Sequence, residues 1–471
     1  MAITSVSRRE FFKKSATVGV GLATLPLLAN CTPAPAAPPP AAAPTAAPAK
    51  AAAPTAAAPA AFNWQRFKGE KIEITFTQGN LVDVLMKNHK EFEELTGITV
   101  GAEQIPEQQA RQKQVMEFNA GATSFDVCHY SYHVHKRMFA KNKWTLDLRE
   151  YLKDPTMTPA EFDWDDFSPG AKAYATDTEG RICSVPIKVD FWMLYWNKEL
   201  FQAKGIAYPK SFDEMLEAAK KLHDPSKNVV GYLARGLKNA NVPVWTHLMQ
   251  GWGVDPIDPK GNFNTESPEA LEAAKLYQNL LKNYSAAGAS GFNWNECQSA
   301  FVLGQAAMWQ DGIGFATPLE NKEKSKVFGK VGYGVFPKGP KAQHSAMFGD
   351  GIGVSSFSKK QGPAYFYCLW ATNKINQLRV LQAGAAVTPR SSALSNPDRA
   401  KGSTMPAEYF DCLEGSGKIL RAGLPEIIPV TEFRDIFGIA LTNMIGGADP
   451  AAELKKATAD FKPIFEKSEK G

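Results

Sequence analysis

A run of 30 residues near the start of the chain, residues 32–61, cannot form a folded core. It contains 17 alanines, nine prolines, three threonines and Lys50. Frequent proline prevents a continuous helix, and side chains as small as alanine offer little apolar surface to bury. Proline-rich chain is semi-rigid and extends by about 3.1 Å per residue in polyproline II geometry. We therefore predict a stalk, or alternatively a tether of no set length, between a short first segment and a large body.

The first segment, residues 1–30, has the features of an export signal. Residues 7–13 read SRREFFK, a twin-arginine form that marks the Tat route for proteins exported already folded. The apolar run over residues 16–29 is too short and too weakly apolar for a membrane-spanning helix, which needs roughly 20 residues. We predict a Tat-type signal peptide over 1–30. The alternative is a basic start on a buried helix.

Cys31 ends this apolar run, and the stretch LANC at residues 28–31 resembles a lipobox. The resemblance implies that Cys31 receives lipid and becomes the mature N-terminus, so that residues 31–61 form a lipid-anchored linker. Asn30 departs from the usual glycine, alanine or serine before the cysteine. If processing fails there, the chain is free outside the membrane and Cys31 is an ordinary thiol.

The charge and cysteines of the body exclude several classes of function. The net charge of the whole chain is +5, and the signal with Lys50 accounts for four of these charges, leaving about +1 for residues 62–471. No long Lys/Arg run remains there, so we expect no nucleic-acid partner. The cysteines after Cys31 are odd in number and form no C-x-x-C pair, which argues against a zinc knuckle or a redox pair, although one disulfide is possible. They are Cys128, Cys183, Cys297, Cys368 and Cys412.

Strand-like and helix-like patterns alternate through the body. Strands are predicted over 71–78, 98–106 and 125–131, helices over 81–97 and 109–121, and a further helix begins after Ser211. This alternation predicts an α/β fold with largely parallel sheets, and the length predicts two lobes. Ligands of parallel sheets lie at the carboxyl ends of strands. Gln78 and Asn80 should therefore share a cleft with the segment from Asp126 to Tyr130.

Three segments, in order, resemble the extracellular solute-binding proteins that deliver sugars to ABC importers. They are YWNKELF at 195–201, AFVLGQAAM at 300–308, and the Gly- and Ser-rich segment from Gly349 to Trp370. The resemblance covers residues 70–465. It implies a two-lobed periplasmic-binding-protein-like fold of type II, closing around a ligand by hinge motion. It also implies permease subunits as partners, with a monomer, no cofactor and no catalysis expected.

The resemblance suggests lobe boundaries. The first lobe is predicted to comprise residues 62–188 with 336–378. The second is predicted to comprise residues 189–335 with 379–471. In the family, the chain first crosses between the lobes near residue 189.

A sugar or polyol needs aromatic surfaces for its C–H faces and fixed polar groups for its hydroxyls. Carboxylates suit a neutral polyol best, because charge-assisted hydrogen bonds are the stronger ones. Segments that mix these residue types give the candidate ligand-binding set. Its members are Gln78, Asn80, Asp126, His129, Tyr130, Asp190, Trp192, Trp245, Trp309, Asp311, Asp350 and Arg390. Core packing is the competing explanation for each tryptophan, and a structural ion pair is the competing explanation for Arg390.

Three alternatives stay open at this point. His129, His133 and His135 suggest a metal site, but one segment cannot present all three as ligands and no acidic cluster lies nearby, so no metal is predicted. A glycoside hydrolase would use two of Asp126, Asp190, Asp311 and Asp350 at about 5–9.5 Å. A receptor for an anion such as a sugar phosphate would need clustered arginine or lysine. The main prediction is a receptor for a neutral sugar or sugar alcohol.

Overall fold

The structure, a computed structural model, describes residues 61–470. The predicted signal peptide, the lipidation site Cys31 and the linker up to residue 60 lie outside the described residues. None of the helices in residues 61–470 is both long enough and apolar enough to cross a membrane.

Eight strands form the framework of the body. They are β1 (Lys71–Thr77), β2 (Thr99–Ile105), β3 (Val127–Ser131), β4 (Val185–Asn197), β5 (Met308–Gly312), β6 (Val331–Gly334), β7 (Ser345–Val354) and β8 (Leu420–Ala422). The order is β2-β1-β3-β7-β4-β5, with β6 beside β4 and β8 beside β7. Only β2-β1-β3 and the β7–β8 pair are parallel, whereas β3–β7, β4–β7, β4–β5 and β4–β6 are antiparallel. The sheet is therefore mixed rather than largely parallel, because β7 returns between β3 and β4.

Strand β4 is shared by two parts of the sheet. Its first half, Val185 to Phe191, pairs with β7, and its second half, from Trp192 onward, pairs with β5 and β6. The register with β7 shifts between Pro186 and Lys188. A bulge of this kind bends a strand and changes where its side chains point. The residues that follow the bulge are thus placed where the two parts of the sheet meet.

Helices surround the sheet. They are α1 (Asn80–Lys87), α2 (His89–Thr96), α3 (Glu107–Asn119), α4 (Tyr132–Lys141), α5 (Arg149–Lys153), α6 (Pro169–Ala175), α7 (Lys198–Ala203), α8 (Phe212–Leu222), α9 (Val242–Gly251), α10 (Pro268–Asn283), α11 (Trp294–Val302), α12 (Gln361–Ala371), α13 (Lys374–Gln382), α14 (Ser391–Leu394), α15 (Ala407–Gly417), α16 (Val430–Ile445) and α17 (Pro450–Lys470). Short 3₁₀ turns include Ile313–Phe315, directly after β5.

Local signals in the sequence explain several of these boundaries. Ser211 accepts a hydrogen bond from the N–H of Glu214 (3.2 Å) and caps α8 as predicted. Gly97 ends α2 in the left-handed conformation, with φ of 70°. The predicted helix over 81–97 is interrupted at Asn88, whose side-chain amide donates to the Val84 carbonyl (2.7 Å).

Two of the hydrophobic cores define the two parts of the body. The first packs β1, β3 and the start of β4 against α1, α2 and α12, with Phe76, Phe92 and Trp370 buried. The second packs helices α8, α9, α10, α16 and α17 together, with Trp245 and Phe437 buried. We refer to these as the first and second lobes. The exact lobe boundaries suggested by the sequence stay a prediction.

The five cysteines of the described residues are all unpaired and buried. They are Cys128, Cys183, Cys297, Cys368 and Cys412. The disulfide that the sequence left possible is not formed among them. Burial raises the pKa of the Cys183 thiol to about 12, which keeps it protonated.

Candidate ligand-binding site

A cavity that opens to solvent lies between the two lobes. The first lobe contributes residues 77–82, Glu107, His129, Ser131 and His133. β4 and β7 contribute Lys188, Asp190, Trp192, Phe348 and Asp350, and the second lobe contributes mainly Arg235, Pro243, Trp294, Gly314, Phe315 and Arg434. The wall is thus made of carboxylates, cations and aromatic rings from both lobes.

Asp350 on β7 is held by two neighbours. Its Oδ2 lies 3.0 Å from the Nζ of Lys188 and 3.0 Å from the Nε2 of His129. Burial alone would raise the pKa of the Asp350 carboxyl, but Lys188 and His129 hold it well below its ordinary value. Burial opposes the charge of Lys188, yet Asp350 and Asp190 raise its pKa above the ordinary value. Asp350 and Lys188 therefore form a fixed ion pair at the cavity wall.

Asp190 on β4 is a second cavity carboxylate with a different environment. Its Oδ1 accepts hydrogen bonds from the backbone N–H groups of Phe191 (3.0 Å) and Gly314 (3.3 Å). Gly312 leaves room for it, because a Cβ at that position would lie 2.5 Å from Asp190 Oδ2. Burial raises the pKa of the Asp190 carboxyl to about 6, although Lys188 and Gly314 act in the opposite direction. A ligand hydroxyl that donates to this carboxylate would replace lost hydration.

Arg235 is fixed between aromatic rings and a buried carboxylate. Its Nε and Nη2 donate to Asp311 at 3.0 Å and 2.6 Å, a two-pronged pair. Its guanidinium lies 5.4 Å from the ring centroid of Trp192 and 5.5 Å from that of Phe315. Phe315 in turn stacks on Trp294 at 4.9 Å. These contacts present a rigid donor beside flat apolar surfaces.

Glu107, at the first turn of α3, lies near several guanidinium groups. Its Oε1 is 2.6 Å from Nη2 of Arg111, and its Oε2 accepts from the Asn293 side chain (3.3 Å). Burial alone would raise the pKa of Glu107, but Arg111, Arg235 and Arg434 hold it well below the ordinary value. Arg434 donates through Nε to the Asn239 carbonyl (3.1 Å).

Six of the predicted ligand residues line the cavity: Gln78, Asn80, His129, Asp190, Trp192 and Asp350. Gln78 follows β1, at the strand end where a cleft residue was predicted. Asn80 begins α1 and donates to the Gly314 carbonyl (3.2 Å).

Asp126 and Tyr130 lie away from the cavity lining. Asp126 precedes β3, so it is at the amino end of that strand and accepts from the Glu73 N–H (2.9 Å) and the Ser358 hydroxyl (2.6 Å). Tyr130 follows His129, and successive strand side chains point to opposite faces. It therefore packs against Phe139 and donates to Ser184 (3.1 Å).

The predicted tryptophans beyond Trp192 lie in cores. Trp245 is fully buried, stacks on Phe437 at 5.5 Å and donates to the Ala270 carbonyl (3.1 Å). Trp309 is fully buried and stacks on Tyr195 at 4.7 Å. Neither ring lines the cavity.

Arg390 and Asp311 are also outside the lining, although Asp311 acts through Arg235. Arg390 is fully buried, pairs with Asp166 (3.1 Å) and lies over the ring of Phe167 at 4.1 Å. Arg390 thus forms the structural ion pair that was the alternative to ligand contact.

The glycines beside Asp350 leave space for protein side chains. A Cβ at Gly351 would lie 2.3 Å from the Tyr132 hydroxyl oxygen and 2.4 Å from Ser184 Oγ. A Cβ at Gly349 would lie 3.3 Å from the rings of Tyr132 and Tyr174.

The three histidines of residues 129–135 point to different partners. His129 contacts Asp350, His133 lies 4.9 Å from the Phe348 ring, and His135 stacks on Phe139 at 4.6 Å. Within residues 61–470, no group of three or more His, Cys, Asp or Glu side chains is arranged to hold a metal ion.

Several cavity residues were not predicted. Lys188 stands two residues before Asp190 on β4. Because alternate residues of a strand share a face, it could have been predicted together with Asp190. Glu107, Arg235, Trp294 and Arg434 come from a helix start, a loop and two further helices. No local pattern in the sequence indicates that these positions meet.

The chain is similar to a known protein family and to several characterised or named relatives. Residues 78–371, more than half of the chain, match the family described as bacterial extracellular solute-binding protein. A probable amino-acid ABC transporter periplasmic-binding protein of Sinorhizobium fredii is 26% identical over 348 residues, covering 71% of this chain and 76% of that protein. An erythritol/L-threitol-binding protein of Mycolicibacterium smegmatis is 24% identical over 477 residues, covering 96% and 95%.

A solved structure is similar over most of the body. The solute-binding protein of an ABC transporter from Agrobacterium radiobacter, in complex with ribitol, superposes with a TM-score of 0.77 and 25% identity. The likeness covers 84% of this chain and 99% of that one. The predicted two-lobed α/β fold is confirmed.

Proposed function

The chain belongs to the bacterial extracellular solute-binding protein family, and we propose that it captures a neutral polyol or sugar and delivers it to the permease of an ABC importer. The observation that carries this proposal is the charge balance of the cavity. Four cations, Lys188, Arg111, Arg235 and Arg434, lie in or behind its wall together with four carboxylates, Glu107, Asp190, Asp311 and Asp350.

A balanced wall favours a ligand without charge. Lys188, Arg111 and Arg235 each already contact a carboxylate. An anionic ligand such as a sugar phosphate would have to compete with those pairs, which argues against that alternative. Hydroxyl groups can donate to Asp190 and accept from Lys188 and Arg235 without breaking any pair. The rings of Trp192 and Phe315 suit the C–H surface of the ligand.

The erythritol/L-threitol and ribitol names of the relatives support a polyol in particular. The probable amino-acid assignment of the Sinorhizobium relative is the main competitor. An amino acid carries an ammonium and a carboxylate on one carbon, so it would need an unpaired carboxylate and an unpaired cation close together. Asp190 and Arg434 are the least engaged charged groups of the wall, and the calorimetric panel therefore includes amino acids.

We expect no hydrolysis of the ligand. Asp126 and Asp311, two of the four carboxylates that the glycosidase alternative required, do not line the cavity. Asp350 is engaged with Lys188 and His129. Incubation of a bound oligosaccharide with the protein, followed by analysis of released sugars, tests this point, and release of products would establish an enzyme.

Isothermal titration calorimetry with the full chain tests the proposed function. The panel comprises erythritol, ribitol, D-mannitol, maltose, glycerol 3-phosphate, L-glutamate and L-leucine. We expect at least one uncharged polyol or sugar to bind with a dissociation constant of about 1 µM or below. We expect no binding of glycerol 3-phosphate, L-glutamate or L-leucine, which carry charged groups. Binding of an amino acid or of the phosphate alone would contradict the proposal.

We further propose that the chain is exported through Tat, anchored by lipid on Cys31 on the outer face of the cytoplasmic membrane or in the periplasm, and active as a monomer. The support is the SRREFFK stretch at residues 7–13, the LANC stretch at residues 28–31 and the Ala/Pro-rich run that follows. A tethered receptor would remain beside its importer.

A further inference from the structure

A cluster of buried polar side chains lies against Trp192, within the core of the second lobe. Tyr232, His247 and Gln310 are each 0% exposed, and His344 is 5% exposed. None of these four residues lines the ligand cavity. Burial of a polar side chain is costly unless it finds a hydrogen-bond partner, so such a cluster has to satisfy its own donors and acceptors.

The pairing of β4 with β5 places Gln310 on the same face of the sheet as Trp192. In that register Trp192 is opposite Gly312, and Leu194 is opposite Gln310. Opposite residues share a face, and so do alternate residues along each strand, so these four positions lie on one side of the sheet. Trp192, besides lining the cavity, packs with Leu194 in the core of the second lobe. Helix α9, which carries His247, packs in the same core.

The direction of each hydrogen bond in the cluster follows from the chemistry of its atoms. The Tyr232 hydroxyl donates to the side-chain oxygen of Gln310. The Gln310 amide nitrogen can only donate, so Nδ1 of His247, 3.0 Å away, accepts from it. The ring proton of His247 is then on Nε2, which donates to the His344 carbonyl (3.3 Å). Nε2 of His344 donates in return to the His247 carbonyl (3.0 Å). One tautomer of His247 thus satisfies both of its ring nitrogens.

These bonds hold the His247 imidazole against the Trp192 indole. The two ring centroids are 5.8 Å apart, with the ring planes at 68°. Phe336 also packs on the imidazole, with ring centroids 4.3 Å apart. The backbone of Trp192 is held by the same segment, because the hydroxyl of Ser345, the residue after His344, donates to the Trp192 carbonyl (2.5 Å). The polar cluster therefore contacts both the ring and the backbone of a cavity-lining tryptophan.

We propose that His247 is a positioning residue, which holds the Trp192 ring in the orientation that the ligand meets at the cavity wall. Apolar contact is non-directional, whereas hydrogen bonds have a preferred geometry and fix the plane of the imidazole. The indole that packs on this imidazole is thereby ordered before the ligand arrives, and a ligand binds more tightly to a surface that it does not have to order. The inference rests on the proposed ligand cavity but not on the identity of the polyol or sugar that fills it.

Calorimetry with ribitol tests whether His247 acts through Trp192. His247→Phe keeps an aromatic ring of similar size but removes both nitrogens, and we expect it to weaken binding by about fivefold. Gln310→Met removes the donor to Nδ1 and should act in the same direction. In a Trp192→Leu background neither substitution should weaken binding further, because a positioning residue acts only through the ring that it positions. Equal losses in the two backgrounds would overturn the inference.

Fluorine NMR of the full chain, labelled with 5-fluorotryptophan, observes the indole without any ligand. The Trp192 resonance is identified by its loss in Trp192→Leu. We expect Gln310→Met to broaden or split this resonance, because the indole then exchanges between orientations. The resonance of Trp370, in the core of the first lobe, should stay narrow. A single narrow Trp192 resonance in Gln310→Met would overturn the inference, and this result does not depend on whether ribitol binds.

The matched control is Trp245→Phe, which changes a buried ring on the same helix as His247. We expect it to lower the melting temperature but to leave the Trp192 resonance narrow and the affinity for ribitol unchanged. Thermal melts establish that each variant is folded, and Gln310→Met carries the test alone if His247→Phe does not fold. If Trp245→Phe weakens binding as much as His247→Phe does, the effect is one of stability and the inference fails.

Discussion

Lys188 and Asp350 are paired through both their backbones and their side chains. They are register partners of the antiparallel strands β4 and β7, and their side chains meet at 3.0 Å between Nζ and Oδ2. The backbone ladder thus fixes the spacing of the two charges, and His129 from β3 adds a third contact to the same oxygen. Because β4 serves both lobes, this ion pair stands at the junction between them.

Asp350→Asn should destabilise the protein at neutral pH. It leaves the buried Lys188 ammonium without its partner, and removal of one member of a buried pair costs about 3–5 kcal/mol. The pKa of Asp350 is held well below its ordinary value, so its contribution is present above the unfolded pKa and is lost as pH falls through the folded one. Urea unfolding at pH 7 and pH 3 measures this, and the difference between wild type and variant should shrink at pH 3. Adding Lys188→Met to Asp350→Asn should recover part of the loss.

Asp190→Asn should have the opposite effect on stability. Burial raises the pKa of Asp190 to about 6, so between the unfolded value near 4 and pH 6 the folded state holds a proton that the unfolded state releases. Stability of the wild type therefore falls as pH rises through this window and stays lower above it. Asparagine has no such penalty, and we expect a gain on the order of 1–3 kcal/mol at pH 7.5 but little at pH 4.

The same variant should bind its ligand more weakly, because a neutral amide is a poorer acceptor for a hydroxyl than a carboxylate. Thermal melts between pH 4 and pH 8, combined with calorimetry, separate the two effects. A variant that is less stable at pH 7.5 would contradict the raised pKa of Asp190, and one that binds as tightly as the wild type would contradict its assignment as a ligand group. Asp126→Asn, outside the cavity, is the control for binding.

Trp192 and Trp245 should respond differently to substitution. Trp192 lines the cavity and lies beside Arg235, so Trp192→Leu should weaken ligand binding by about tenfold or more. Trp245 stacks on Phe437 in the core of the second lobe, so Trp245→Phe should lower the melting temperature and leave affinity nearly unchanged. Calorimetry and thermal unfolding of both variants test this pair. Equal losses of affinity would refute it.

Cys31→Ser should release the chain from the membrane without changing ligand affinity. Fractionation of cells that express wild type and variant measures the membrane-bound share. A wild-type chain found only in the soluble fraction would show that Asn30 prevents lipid attachment. Replacing both Arg8 and Arg9 by lysine should in turn block export, since the twin arginine is the recognition element.

The sequence predicted the parts of the site that follow from strand geometry. Gln78 after β1, His129 on β3 and Asp190 on β4 could be predicted as candidate site residues. Ligands bind at the carboxyl ends of strands, and segments that mix polar and aromatic residues indicate a sugar or polyol site. Tyr130 could have been excluded, because successive side chains of a strand point to opposite faces and His129 faces the cavity. Trp309 and Trp245 could not be distinguished from Trp192 by composition, since burial in a core and exposure to a cavity use the same residue type.

The second lobe's contribution depends on contacts between distant segments. Arg235 and Arg434 are 199 positions apart and line the same cavity, and Gly438 permits the loop around Asn239 to pack on α16. Glu107 lines the same cavity from the first lobe. Such meetings follow from tertiary packing, and nothing local in the chain specifies them. The mixed sheet has the same origin, because the return of β7 between β3 and β4 is a long-range event.

The buried, unpaired thiols have a consequence for where the body can mature. With Cys128, Cys183, Cys297, Cys368 and Cys412 all in the interior and unlinked, no covalent step separates the unfolded chain from the folded body. Its stability is then independent of the redox potential around it, and reductant should leave its melting temperature unaltered. The same folded state is available in a reducing cytoplasm and in an oxidising envelope. Export after folding, as proposed above, would require such a body.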